Sequence, residues 1–196
     1  MIQYYSLNGE FNAPDQTNLQ VSDLSILRGY ALFDFFRVIN SIPLFLEDYL
    51  DRFFRSAELL HLSPPLSRPE LQQHIFELIN KNGLPNAAIR LVLTGGYAAD
   101  AYTPIQPNLL VMEHPFTPPP KHFYLEGATL LTYLHEREFP LVKSTNYLTG
   151  ISVQKLLKAR QVDFVLYHDG QYISESDRSN FGVTQAQKKR GPKPSF

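Results

Sequence analysis

The sequence predicts an α+β chain built as two domains, and three observations carry that expectation. Phe33 to Ile39 is a dense run of β-forming residues, and after the short Asn40-Ser41 connection Ile42 to Leu46 reads as its return strand. From Leu46 the apolar spacing changes: Leu46, Tyr49, Leu50, Phe53, Ala57 and Leu60 recur at three and four residues, the period of an amphipathic helix. Between Glu113 and Lys121 stand Pro115, Pro118, Pro119 and Pro120, a stiff extended connector. The expected division is an N-terminal α/β domain over 1–113, a linker over 114–121, a second domain over 122–183 and an unstructured tail over 184–196.

The elements follow in order. Ile2 to Leu7 is β-prone and short, and Asn8 to Asp23 is polar and turn-rich. Ser67-Arg68-Pro69-Glu70 opens a second helix, with a Ser cap, Pro in the first turn and Glu three after the Ser. Leu71, Ile75, Leu78 and Ile79 give its buried face, and Gly83 ends it. Ala88 to Thr94 is a strand running into Gly95-Gly96, and Asn108 to Met112 is another. In the second domain Ala128 to Tyr133 is a strand and Leu148 to Ala159 a moderately amphipathic helix. Phe164 to His168 and Gln171 to Ser174 form a hairpin around Asp169-Gly170, the preferred type I′ pair, with Glu175 just past the second strand.

Composition narrows the function. Hydrophobic residues make up 43% of 196, enough for a core, and no apolar run reaches membrane-spanning length. The first residues carry no basic segment and no apolar stretch of a secretory signal. Cysteine is absent, which removes disulfides, thiolate catalysis and cysteine metal sites and fits a reducing, cytoplasmic setting. A net charge of −1 offers nothing to nucleic acid. The six histidines form no i, i+4 pair, so no metal site is expected.

Four stretches remain that carry chemistry. The first is Lys143-Ser144-Thr145-Asn146-Tyr147-Leu148, with Asp169-Gly170, Glu175 and Ser179-Asn180 downstream. The second is Phe45 to Ala57, where Arg52 and Arg55 lie between apolar positions. The third is Gly29-Tyr30-Ala31-Leu32-Phe33-Asp34, preceded by Arg28, and the fourth is Ile89-Arg90, a charge inside an apolar strand. A lone lysine is ordinarily solvated, and arginines on a helix ordinarily lie along its surface with the charge in water. A charge within an apolar strand faces a partner or a cavity.

Together these stretches resemble the class IV (fold type IV) aminotransferases, the family of branched-chain and D-amino acid aminotransferases and aminodeoxychorismate lyase. The resemblance covers nearly all of residues 20 to 183. It implies an N-terminal α/β sandwich and a C-terminal β-barrel-like domain, incomplete here, with pyridoxal 5′-phosphate between them. It implies that Lys143 is the catalytic residue, condensing with the cofactor aldehyde and then moving the substrate proton. Glu175 corresponds to the carboxylate that keeps the pyridine nitrogen protonated. Arg52 corresponds to the arginine on the cofactor phosphate, a bidentate task suited to a guanidinium. Tyr147 and Asn180 are expected to support the cofactor, and Arg28, Phe33 and Arg90 to meet the substrate. Arg28 stands where the family often has a tyrosine, so it either meets a substrate carboxylate or belongs to the surface. Tyr49 stands where the family has His. The arginine that D-amino acid aminotransferases carry within Thr-Arg-Gly is absent from Thr94-Gly95-Gly96.

The implied activity is ping-pong transamination between a branched-chain-like amino acid and a 2-oxo acid, in a homodimer whose loop from Gly95 to Pro107 enters the partner's site. Aminodeoxychorismate lyase shares the lysine and glutamate and stands as the alternative. After Val183 the resemblance lapses, so the second domain is expected to be cut short, and an inactive remnant is the further alternative. Lys188-Lys189-Arg190 is too short a basic run to imply nuclear targeting.

Overall fold

Alternation along the strands decides the architecture. The computed structural model describes residues 2–183. The chain runs β1 (Tyr5–Leu7), β2 (Glu10–Asn12), α1 (Leu24–Arg28), β3 (Ala31–Ile39), β4 (Ile42–Pro43), α2 (Leu46–Leu59), α3 (Arg68–Asn82), β5 (Asn86–Thr94) and β6 (Leu109–Pro115). It continues through α4 (His122–Leu125), β7 (Leu130–Leu134), α5 (Leu148–Arg160), β8 (Phe164–His168) and β9 (Ile173–Ser176). The polypeptide groups into two units. Of the described residues, the first takes in 2–121 and Arg137–Tyr147, the second His122–Glu136 and 148–183.

The first unit is an antiparallel sheet of order β2-β1-β6-β5-β3-β4. Period two places Leu32, Phe36 and Val38 of β3, Ala87, Ile89, Leu91 and Leu93 of β5, and Leu109 and Val111 of β6 in one core. Two helices close that core. α2 contributes Leu46, Leu50, Phe53 and Ala57, and α3 contributes Leu71, Ile75, Leu78 and Ile79. The Ser67 N–H donates to Glu70 at 2.7 Å at the start of α3, and Gly83 ends that helix in the left-handed region (φ 64°). Residues 33, 35 and 37 of β3 and Arg90 of β5 point the other way, and none of them is fully buried.

The second unit carries a three-stranded sheet, β7-β8-β9, with β7 parallel and β9 antiparallel to β8. Its core is small: Val153 and Leu157 from α5 against Val165 and Tyr167 from β8.

Several expectations need correction. The return strand predicted over 42–46 is only two residues long, because Pro43 offers no N–H to a ladder and Phe45 turns left-handed (φ 52°) ahead of α2. β6 continues to Pro115, into the stretch expected to be linker. The Asp169-Gly170 turn is not type I′, since only Gly170 has positive φ (103°). The Asp169 carboxylate holds the loop instead, accepting from the N–H of Gln171 and of Tyr172 at 2.7 Å each. Glu175 lies inside β9 rather than past it. Arg137–Tyr147, placed with the second domain from sequence, packs in the first unit, because its backbone pairs with β3. The expected unstructured tail over 184–196 lies outside the described residues.

Candidate functional site

β3 has one continuous neighbour and one interrupted edge. β5 pairs with it along its whole length, whereas β4 reaches only Val38 and Ile39 on the other side. The lysine segment takes the opposite end of that edge. Phe33 N–H donates to the Lys143 carbonyl at 2.9 Å, and Thr145 N–H to the Ala31 carbonyl at 3.0 Å, closing an antiparallel bridge between Leu32 and Ser144. Val142, 2% exposed, anchors the segment in the core, and the Lys143 N–H lies 3.5 Å from Ser56 Oγ on α2. The lysine backbone is therefore fixed by a rigid strand and a helix.

The pairing also sets where the lysine side chain goes. Its ammonium lies 4.8 Å from the centre of the Phe33 ring, on the face away from the core. The same ring meets Tyr147 edge-on at 5.6 Å and has the Arg90 guanidinium 5.8 Å from its centre. Arg137 stands 5.5 Å over Tyr147. Lys143, Phe33, Tyr147 and Arg90, each expected at the site, are thus gathered around one aromatic ring. Arg90 also lies 5.7 Å from the Phe35 ring, and its charge, after burial, helps to hold His114 below the usual histidine range.

Arg52 reaches the same strand from α2. Its Nε donates to Asp34 Oδ2 at 2.9 Å and its Nη2 to Oδ1 at 2.6 Å, a two-pronged pair. Asp34 is fully buried, while 41% of the Arg52 side chain is exposed. The hydrogen bonds to Asp34 outweigh desolvation and hold the guanidinium more firmly ionised than usual, with smaller contributions from Tyr49 and Tyr147. Tyr49, at the position of the family's His, places its ring 5.1 Å beneath the same guanidinium.

Three expected residues lie elsewhere. Arg28, exposed at the end of α1, donates from Nε to the Ala101 carbonyl at 3.0 Å and steadies the loop after Gly96. Glu175 is half-buried in β9 and Asn180 is exposed beyond it, both in the second unit. Sequence reasoning gave no role to Asp34, Ser56 or Arg137. The first was detectable: Asp34 shares the parity of Leu32, Phe36 and Val38, so a carboxylate had to enter the core face and find a cation. Nothing local marks Arg137.

The set fits a phosphorylated aldehyde. One amine is held on a rigid edge beside an aromatic ring, and one ionised guanidinium, reaching the same strand from α2, retains exposed surface. Among the described residues no cluster of three or more His, Cys, Asp or Glu could hold a metal ion, and no helix is long and apolar enough to cross a membrane.

Comparison with known proteins agrees with this chemistry. The family described as amino-transferase class IV matches residues 31–195, and so takes in most of the tail that the sequence resemblance left out. A provisionally assigned branched-chain-amino-acid aminotransferase of Methanocaldococcus jannaschii is 27% identical over 91% of this chain and 64% of its own length. The D-alanine aminotransferase of Staphylococcus aureus is 25% identical over 89% of this chain and 63% of its own. The PLP-bound form of a hypothetical aminotransferase from Mycobacterium tuberculosis superposes with a TM-score of 0.75 at 18% identity, over 89% of this chain and 65% of that one. The chain therefore spans less than two-thirds of the length of these relatives.

Proposed function

The chain belongs to the class IV aminotransferase family, and from that premise we propose that it acts as a pyridoxal phosphate-dependent aminotransferase on a branched-chain-like amino acid and a 2-oxo acid. The observation that supports this reading best is the seating of Lys143 on the edge of β3, with its amine over Phe33 and with Arg52 of α2 paired to Asp34 of the same strand.

Bound there, pyridoxal phosphate would supply an aldehyde for the amino group and a ring to take up the electrons left on the substrate α-carbon. Lys143 would hold the aldehyde covalently through Nζ and, once displaced by the substrate amine, carry the α-proton on the same nitrogen. The bridge to Leu32 limits where that nitrogen can swing, which is what proton transfer over a short distance requires. Arg52 would take the phosphate, and Tyr147 would support the ring. Glu175 is the carboxylate proposed for the pyridine nitrogen, and Asn180 a supporting group. These two assignments rest on the match of motif, as does the reading of 122–183 as part of a cofactor-binding domain.

Arg90 is the stronger candidate for a substrate carboxylate, because it shares Phe33 with Lys143. Arg28 is the weaker, being engaged with Ala101. A D-amino acid preference has less support. A Cβ at Gly95 would fall 2.8 Å from Tyr30 and 3.0 Å from Leu24, so an arginine between Thr94 and Gly96 would meet occupied space. The proposal includes a homodimer, with the loop after Gly96 offered to the partner; Tyr102 and Ile105 near its tip are 77% and 68% exposed.

Lys143→Ala tests the reading. Wild-type protein incubated with the cofactor and reduced with borohydride should carry it on Lys143, found by peptide mapping, and the variant should carry none. Assays with 2-oxoglutarate and L-leucine, D-alanine or aminodeoxychorismate separate the transaminase from its relatives. Labelling that persists in the variant, or turnover with aminodeoxychorismate alone, overturns the assignment.

A further inference from the structure

The edge of β3 has a gap, and a single carboxylate fills it. Phe33 N–H is taken by the lysine segment, and further along the strand the Arg37 carbonyl receives the Leu44 N–H. Between them the Phe35 N–H has no strand partner among the described residues, and Asp34 Oδ1 accepts it at 2.7 Å. Both oxygens of that carboxylate also receive Arg52.

We propose that Asp34 is a positioning residue for the cofactor phosphate: by gripping Nε and Nη2 of Arg52 it turns Nη1 and the free side of Nη2 outward as the anion-binding edge. The inference rests on the reading of Lys143 and Arg52 given above. Three features carry it. The grip is two-pronged, so it fixes the plane of the guanidinium as well as its place. The backbone bond to Phe35 fixes the carboxylate in turn. The Arg52 side chain remains 41% exposed on the side the carboxylate does not use. A contrary role is physically distinct. A buried anion could instead compete with phosphate for the same cation, and its removal would then strengthen phosphate binding.

Asp34→Asn separates the two. The asparagine oxygen can still accept from Phe35 N–H, so the strand edge is preserved, but an amide N–H replaces the oxygen that takes Arg52 Nε, so the two-pronged grip and the charge behind it are lost. The measurement is the ratio of dissociation constants for pyridoxal and pyridoxal phosphate, read by absorbance titration with Lys143 intact. That ratio isolates the phosphate contact from the aldehyde. Asp34→Asn should lower it about tenfold, with pyridoxal binding unchanged. Asp34→Glu should keep it within about threefold, since the paired geometry survives. Arg52→Lys retains the charge beside Asp34 but not the fork, and should lower the ratio as Asp34→Asn does. An unchanged ratio in this variant overturns the role even if Asp34→Asn does not fold. An unchanged or increased ratio in either Asp34→Asn or Arg52→Lys overturns the positioning role. Wild-type protein that takes pyridoxal on Lys143 with no preference for the phosphate overturns this inference and leaves the Lys143 reading standing. Wild-type protein that takes neither overturns both.

Discussion

At the scale of single residues, the first unit answers one buried acid and leaves another unanswered. Asp34 has Arg52 and a backbone N–H. Glu113, on the core face of β6, is fully buried and neither carboxylate oxygen has a hydrogen bond among the described residues. The Asn82 amide accepts from the N–H groups of Gln3 and Tyr4 and donates to the Tyr4 carbonyl. Burial therefore pushes the Glu113 carboxyl above its usual 4.5, and the approach of Asn82 opposes this only in part. The sign follows. A folded value above the unfolded one means that ionisation adds no cost below about pH 4.5, where the group is protonated in both states. The cost grows as pH rises through the folded value. His74, bonded to Ser6 at 2.6 Å and held below 6.5 by burial, works in the opposite sense, weakening the fold as pH falls under 6.5. Glu113→Met should stabilise the protein by about 1–2 kcal/mol at pH 8 and by clearly less at pH 4, read from urea midpoints. An equal gain at both values would mean that packing, not ionisation, is what the variant improves.

At the scale of elements, legibility followed the range of the interactions. α2, α3, β3 and β5 announce themselves because period and caps are written into neighbouring residues: Leu50, Phe53 and Ala57 at helical spacing, Ser67 and Glu70 at a helix start, alternation from Leu32 to Val38. α1 did not. It is five residues long, too short to show a period, and its signs are two single residues, the Asp23 cap on Ser25 and Gly29 at the end. β2 was hidden in a polar stretch for the same reason. Asp23 holds more than its helix. Its second oxygen accepts from Thr94 at 2.7 Å and Asn108 at 2.8 Å, tying α1 to the ends of β5 and β6. The pairing of Ser144 with Leu32 joins residues more than a hundred positions apart, and no local pattern encodes it. This is why the lysine was visible as a motif while its placement in the first unit was not. Arg52 lies between these cases: the cation was read from its motif, and its partner required the parity of β3 as well.

At the scale of the whole molecule, the two units differ in how much they bury. The core of the first unit draws on strands and both long helices, from Leu32 and Phe36 to Phe53, Leu71 and Ile89. The fully buried part of the second rests on Val153, Leu157, Val165 and Tyr167, with Leu131, Tyr133 and Val162 partly covered. Each buried side chain of this kind contributes about 1.5–3 kcal/mol, so the second unit has far less to set against the entropy of ordering its chain. Apolar side chains there also stay in water, Leu125 at 83%, Leu148 at 76% and Ile151 at 70% exposure, and contribute little to folding. The two units should therefore not unfold together. In rising urea, amides of β8 should lose protection against hydrogen exchange before those of β5, with peptides covering Val165–Tyr167 opening while those covering Ile89–Leu93 remain closed. Lys143 belongs with the stable unit, through Val142 and the bridge to Leu32, so its peptide should stay protected with β3. Exchange followed by mass spectrometry reads all three peptides in one experiment. Loss of protection in β8, β5 and the Lys143 segment at a single urea concentration would show one cooperative body, and the reactive amine would then depend on the second unit for its position.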